Sequence, residues 1–317
     1  TRGSAREARH TAAARKWENR RIAIRRRAVT GKPPAMRHLL SPLAALLLAA
    51  APAAFAQPVP AAMVIDAQGA VKLARGATAI AAEVTADLPL DTRIEMGRGA
   101  RLVLLVHAAG EEVSLAGPVT AVLARDGVSG TPPAQVQRRK SAMGSLPQLR
   151  RGVTPGAYVM RASRPTARLR PLTLSGTRTL EERPVFRWSA ADATGPFTVA
   201  VLDETGQVIH EARTESPEYA LPASIALREG ATYSWEVSAR NSDGTRFASV
   251  GDFAIADGAL RQQVRETRPA EGAPFAAWVT WAAWLQAQEL HDEARGVWKK
   301  LSAQRPDDAR LKALAGG

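Results

Sequence analysis

Two apolar periods run along this chain, and the change from one to the other divides it. Between residues 63 and 125 the apolar stretches are short: 64–65, 71–73, 101–106, 113–115 and 119–123. Gly69, Gly76, Gly97, Gly99, Gly110 and Gly117 separate them at turn-like intervals, which predicts a small all-β unit. Residues 102–106 are apolar without alternation, as expected of a strand covered on both faces. Glu111 and Glu112, beside Gly110, read as the solvated end of a hairpin; the sharper alternative is a carboxylate pair for acid–base chemistry.

Seven further strand candidates fall at 172–174, 185–188, 197–202, 208–212, 218–221, 232–239 and 247–255. In the sixth, Tyr233, Trp235, Val237 and Ala239 alternate with Ser234, Glu236, Ser238 and Arg240, so the first set is expected in a core and the second in water. Phe186 and Trp188 share one face of an earlier strand and are expected to meet Trp235 across a sandwich. From residue 275 the spacing changes. Trp278, Trp281, Leu285, Ala294, Trp298 and Leu301 recur at helical intervals, and Pro306 ends the pattern. Residues 307–314 read as the first turns of one more helix.

These patterns predict a mainly β fold: a small all-β domain over 57–125 and a β-sandwich over 171–257, followed by a short α-hairpin over 268–317. Residues 126–170, rich in Pro, Gly, Ser and Arg, read as a connector with a short helix near 135–140 and a strand at 158–160.

The segment from Met36 to Gln57 has a different character. A charged flank (Arg37, His38) leads into an apolar run over 39–51, and Ala54-Phe55-Ala56 gives the small-x-small pattern that signal peptidase accepts. Residues 36–56 therefore read as a signal peptide cleaved between Ala56 and Gln57; the run is too short for the roughly 18–20 residues of a bilayer span. Residues 1–35 carry eleven Lys and Arg against Glu7 and Glu18. They read as upstream sequence ahead of a start at Met36, the alternative being a basic arm.

Charge looks different once divided this way. The whole chain has a net charge of +13, of which residues 1–35 carry +9 and the chain from Gln57 onward only +3. Nine of the remaining basic residues lie between Arg138 and Arg170, where there is no acid. A nucleic-acid partner thus loses its main support. Arg138, Arg139, Lys140, Arg150 and Arg151 become candidate contacts for anionic lipid, lipopolysaccharide or an acidic partner, against the plainer reading of a solvated linker. The chain has no cysteine, so it must be held by apolar burial alone, and zinc sites built on Cys are excluded.

Candidate chemistry is sparse. After residue 57 the histidines are His107, His210 and His291, each alone in sequence. There is no G-x-S-x-G elbow, H-E-x-x-H helix or Walker loop. His291, beside Asp292 and Glu293, reads as a solvated turn residue. No cofactor and no metal is expected, and the chain reads as a non-enzyme.

Three resemblances follow. Gly69-x-Val71, Leu90-x-x-x-Ile94-x-x-Gly97-x-Gly-Ala-Arg-Leu102, the strand after it, Gly110 and Val113-x-Leu115-x-Gly-Pro118 resemble the FecR-type periplasmic domain. That likeness implies a ligand- or partner-sensing β module of the cell envelope. Pro184-x-Phe-x-Trp188, Gly230-x-x-Tyr-x-Trp-x-Val237 and Gly251-x-Phe253 resemble a fibronectin type III or related immunoglobulin-like domain. Trp278-x₂-Trp281-Ala282-x₂-Leu285, Ala294-x₃-Trp298 and Pro306 resemble one tetratricopeptide-type hairpin, departing from the pattern at Trp281, Ala282 and Leu285.

A single such hairpin cannot bury its own apolar face. Trp278, Trp281, Trp284 and Trp298 must therefore pack either on the preceding sandwich or on another molecule, and in the second case they form a docking surface for an envelope protein. The function expected is an exported periplasmic or secreted binding or scaffolding module. The alternative is a membrane-anchored FecR-type signalling regulator that retains its N-terminal segment.

Overall fold

A computed structural model describes residues 60–141, 143, 169–191, 195–240 and 244–316. By their contacts the described residues form one unit. The fold is mainly β, with several antiparallel sheets and short helices at the C-terminal end.

The first domain is built from β1 (Ala62–Gln68), β2 (Val71–Arg75), β3 (Thr78–Ile80), β4 (Asp87–Leu88), β5 (Thr92–Met96), β6 (Arg101–Val106), β7 (Glu111–Ala116), β8 (Val119–Ala124), β9 (Gly127–Thr131) and β10 (Val136–Lys140). They form two five-stranded sheets, ordered β10-β7-β6-β1-β4 and β3-β2-β5-β8-β9. Apolar side chains from both fill the space between them. Ala62, Val64, Leu102, Leu104 and Val106 of the first sheet meet Leu73, Ile94, Ala121 and Leu123 of the second.

Successive strand residues point to opposite faces, so Met63, Val103 and Leu105 project to the outside of the first sheet. They are buried there too, in a second core shared with the helices. The unbroken apolar run at 102–106 thus has the two covered faces its composition predicts. In β1 the pairing with β6 shifts between Val64 and Asp66. That irregularity adds one residue to β1 and leaves both Ile65 and Asp66 on the helix side.

Residues 127–140 differ from expectation. They are not connector, because β9 and β10 complete the two sheets of the first domain. The helix expected near 135–140 is a 3₁₀ turn at Pro133–Gln135 followed by strand β10. Its residues are nearly all exposed and carry no apolar period. What holds it is backbone pairing with β7, with Arg139 set opposite Glu112. The strand expected at 158–160 lies outside the described residues.

The second domain comprises β11 (Leu169–Pro171), β12 (Thr177–Thr179), β13 (Val185–Ala190), β14 (Phe197–Leu202), β15 (Val208–Thr214), β16 (Glu218–Ala220), β17 (Thr232–Arg240) and β18 (Arg246–Ile255). Sheet β11-β13-β16 faces sheet β12-β18-β17-β14-β15, a three-on-five sandwich of the immunoglobulin-like kind. The predicted aromatic core is present. Trp235 is fully buried, with its ring centroid 5.1 Å from Phe186 and 6.2 Å from Trp188. The strand expected at 172–174 is instead a crossover, which lets the first stretch of the domain serve one sheet as β11 and the other as β12.

Four helices follow: α1 (Gly258–Thr267), α2 (Phe275–Ala287), α3 (His291–Gln304) and α4 (Ala309–Gly316). Asp257 caps α1, its carboxylate accepting from the Leu260 N–H at 2.8 Å, as N-cap aspartates do. Helix α2, Phe-Ala-Ala-Trp-Val-Thr-Trp-Ala-Ala-Trp-Leu-Gln-Ala, is apolar on almost every side. A helix of that kind must be covered all round: α2 packs on β1 and on α3, within the core that contains Met63, Ile65 and Leu105.

Candidate functional site

Trp281, Trp284 and Trp298 are buried in the chain's own second core, and Trp278 is partly buried against it, edge-to-face with Trp281 at 5.7 Å between ring centroids. Four tryptophans on one docking surface are therefore not what the fold presents. The first β domain, whose outer sheet face was free to receive them, takes up the apolar surface that the hairpin could not bury alone. Trp278 keeps an edge on a cavity of about 440 Å³ beside Arg268 and Lys300.

The predicted basic contacts separate as well. Arg138 turns to the opposite sheet, its guanidinium donating to the Val128 carbonyl at 2.6 Å. Arg139 points to the helix-facing side, where Nε donates to Glu112 Oε2 at 2.7 Å. Glu112 is 4% exposed. The solvated hairpin end expected at Glu111-Glu112 is thus a buried, paired carboxylate, brought into place by the cross-strand register. Lys140 is exposed at the end of β10. Arg150, Arg151 and the cleavage residues Ala54, Ala56 and Gln57 lie outside the described residues.

One pocket gathers several charged groups. The helices cover only the apolar half of the helix-facing sheet. Beyond Val103 the same face continues with Gln68, Arg101, Ser114, Gln137 and Arg139, and this polar half is left open as the floor of a cavity of about 390 Å³. Pro274 and Phe275, at the start of α2, and Arg305, just after α3, form its wall. Arg305 bridges to buried Asp66 at 2.7 Å, and its guanidinium lies 3.5 Å above the Phe275 ring. Pro274 offers no side-chain cap to α2, so the first amide groups of that helix lack a side-chain acceptor.

Asp66, Arg101, Arg305 and Phe275 were not singled out from the sequence. No spacing could have found them, since their proximity depends on the extra residue in β1 and on a helix two hundred residues later. Arg101 lay within the glycine-rich FecR-like stretch and could be counted only as part of it.

A second polar cluster joins α3 to the second domain. Asp292 Oδ2 accepts from the Leu174 N–H at 2.9 Å, and Glu293 Oε1 from the Leu180 N–H at 2.9 Å. The Thr177 hydroxyl donates to the Glu289 carbonyl at 2.8 Å, and the Arg178 N–H donates to it at 2.7 Å. Burial raises the Glu293 carboxyl above its ordinary range, partly offset by the Leu180 amide. Burial likewise lowers the His291 imidazole, against the pull of Glu289 and Asp292. His291 is a half-buried member of this joint rather than a solvated turn residue. Among the described residues no group of three His, Cys, Asp or Glu could hold a metal ion, and no helix is long and apolar enough to cross a membrane.

No protein-family model matches the chain, and no curated protein does. Among solved structures, CopC from Methylosinus trichosporium OB3b overlaps 26% of this chain and 86% of its own, at 18% identity and a TM-score of 0.22. PorZ, a surface component of the type-IX secretion system of Porphyromonas gingivalis, overlaps 48% of this chain at 8% identity and a TM-score of 0.20. The overlap spans only 21% of PorZ. These are local overlaps, and neither protein's role passes to this chain through them.

Proposed function

We propose that this chain is an exported, non-enzymatic envelope protein: a FecR-like β domain and an immunoglobulin-like sandwich held as one binding body by a tetratricopeptide-like helical hairpin. The observation that carries the reading is the core that the first β domain shares with the helices, which Asp292 and Glu293 in turn join to the second domain. The signal-type segment at 36–56 supports export. The fold adds support for the FecR likeness. A Cβ on Gly117 would lie 1.9 Å from the Gly97 carbonyl oxygen, so the glycines behind that resemblance sit where two backbones touch.

In this reading the hairpin works inside the molecule. It ties the two β domains together and leaves their outer surfaces to partners. The test is mass spectrometry of the amino terminus after expression in a Gram-negative host, with periplasm and membranes separated. A chain beginning at Gln57, cyclised, in the periplasmic fraction is the expected result. An intact terminus in the membrane fraction overturns it in favour of an anchored regulator.

A further inference from the structure

The open half of the helix-facing sheet has the composition of a site. We propose that it binds a phosphate group carried by a small molecule or a lipid. Its volume of about 390 Å³ falls within the usual range for small-ligand sites. Arg101, Arg139 and Arg305 approach it from strand β6, strand β10 and the end of helix α3.

The two acids nearby do not cancel this charge. Glu112 is engaged by Arg139 and Asp66 by Arg305, with the Gln68 amide 3.4 Å from Asp66 Oδ2. Each carboxylate is nearly buried beneath its arginine, so it orients a guanidinium fork while remaining behind it. Arg101 has no acid partner among the described residues and leaves one positive charge uncompensated. The Ser114 hydroxyl and the Gln137 amide add neutral donors on the floor. Planar guanidinium groups converging from separate elements suit a tetrahedral oxyanion, which accepts paired hydrogen bonds from several sides. The uncapped first turn of α2 adds partial positive charge at the wall.

The inference rests on the reading of the chain as a binding module but not on its export, so terminal mass analysis and a binding titration fail independently. It also gives Arg139, one of the basic residues expected to touch an anion, a place in one defined pocket.

Calorimetric titration of the full chain with inorganic phosphate, in a phosphate-free buffer of low ionic strength, tests it. Saturable one-to-one binding is expected, weakened about tenfold in Arg101→Gln, the effect of losing one charge-assisted pair. Arg101 is exposed, so this variant keeps its fold. Arg93→Gln, an equal loss of charge on the exposed face of β5, is expected to bind as the wild type does. Absence of saturable binding in the wild type, or equal weakening in the two variants, overturns the proposal. Flotation with phosphatidylcholine vesicles, with and without phosphatidic acid, then separates the sources. Capture that requires phosphatidic acid and Arg101 assigns the site to a lipid headgroup, whereas phosphate binding without capture assigns it to a soluble ester.

Discussion

The helical layer meets its two neighbours through joints of opposite character. Against the first domain the joint is mostly dry: Val279, Trp284 and Leu285 share a core with Met63, Ile65 and Leu105, and the Arg305–Asp66 and Arg310–Thr85 contacts lie outside that core. Against the second domain it is polar, made by Asp292, Glu293 and the Glu289 carbonyl on the amides of residues 174–180. Dry joints scale with buried area and tolerate small shifts. Polar joints are directional and lose most when one partner is removed. The first should therefore supply most of the stability and the second the angle at which the sandwich is held.

Truncating the dry joint is the harshest test. Trp298→Ala should cost about 3–5 kcal/mol in urea unfolding of the full chain, as much as Trp235→Ala in the sandwich core. A much smaller loss at Trp298 would mean that the helices are only loosely seated. Leu104 and Leu105 sharpen the comparison, since they are adjacent, both fully buried and on opposite faces of one strand. Each Leu→Ala change should cost about 2–5 kcal/mol. A large loss at Leu104 with little at Leu105 would show that the outer face is not a true core.

The polar joint should give less. Asp292→Ala strips the acceptor from the Leu174 amide and removes one of the partners of Arg295, and should cost about 1–3 kcal/mol. Glu293→Gln keeps an acceptor for the Leu180 amide and should change stability at neutral pH least of all. Its signature lies in pH dependence. The Glu293 carboxyl is raised from 4.5, so the folded state holds its proton more tightly than the unfolded chain does. That contribution is present below 4.5 and fades as pH rises through the folded value. His291 is lowered from 6.5, so its contribution is present above 6.5 and is lost as pH falls through the folded value. Glu293→Gln should make the chain lose stability more steeply on acidification below neutrality. His291→Gln should make it lose less. Parallel denaturation curves for both variants and the wild type across pH 5–7 would contradict the assigned shifts.

What the sequence disclosed follows from how local each signal was. The alternation at 233–239 and the unbroken apolar run at 102–106 report burial directly, and both are realised. The tryptophans of α2 reported that something must cover them but not what, because an apolar helix face looks the same under a sheet as under a partner. Strand β10 gave no periodic signal, its five residues being polar or half-exposed along an edge. The pocket was hidden more completely. Asp66 and Arg305 become neighbours only through the tertiary fold, and Arg101 and Arg139 share a face only because β6 and β10 both flank β7.

The dry joint has a consequence in time. Met63, Ile65 and Leu105 leave the ribosome long before the side chains that cover them. The first domain can close its inner core on its own, while its outer sheet face stays bare until the polypeptide has been extended through Trp298. A chain truncated before α2 would display a hydrophobic sheet face in search of cover, an aggregation hazard. The helices over 275–304 thus act as the lid that finishes a domain made long before them.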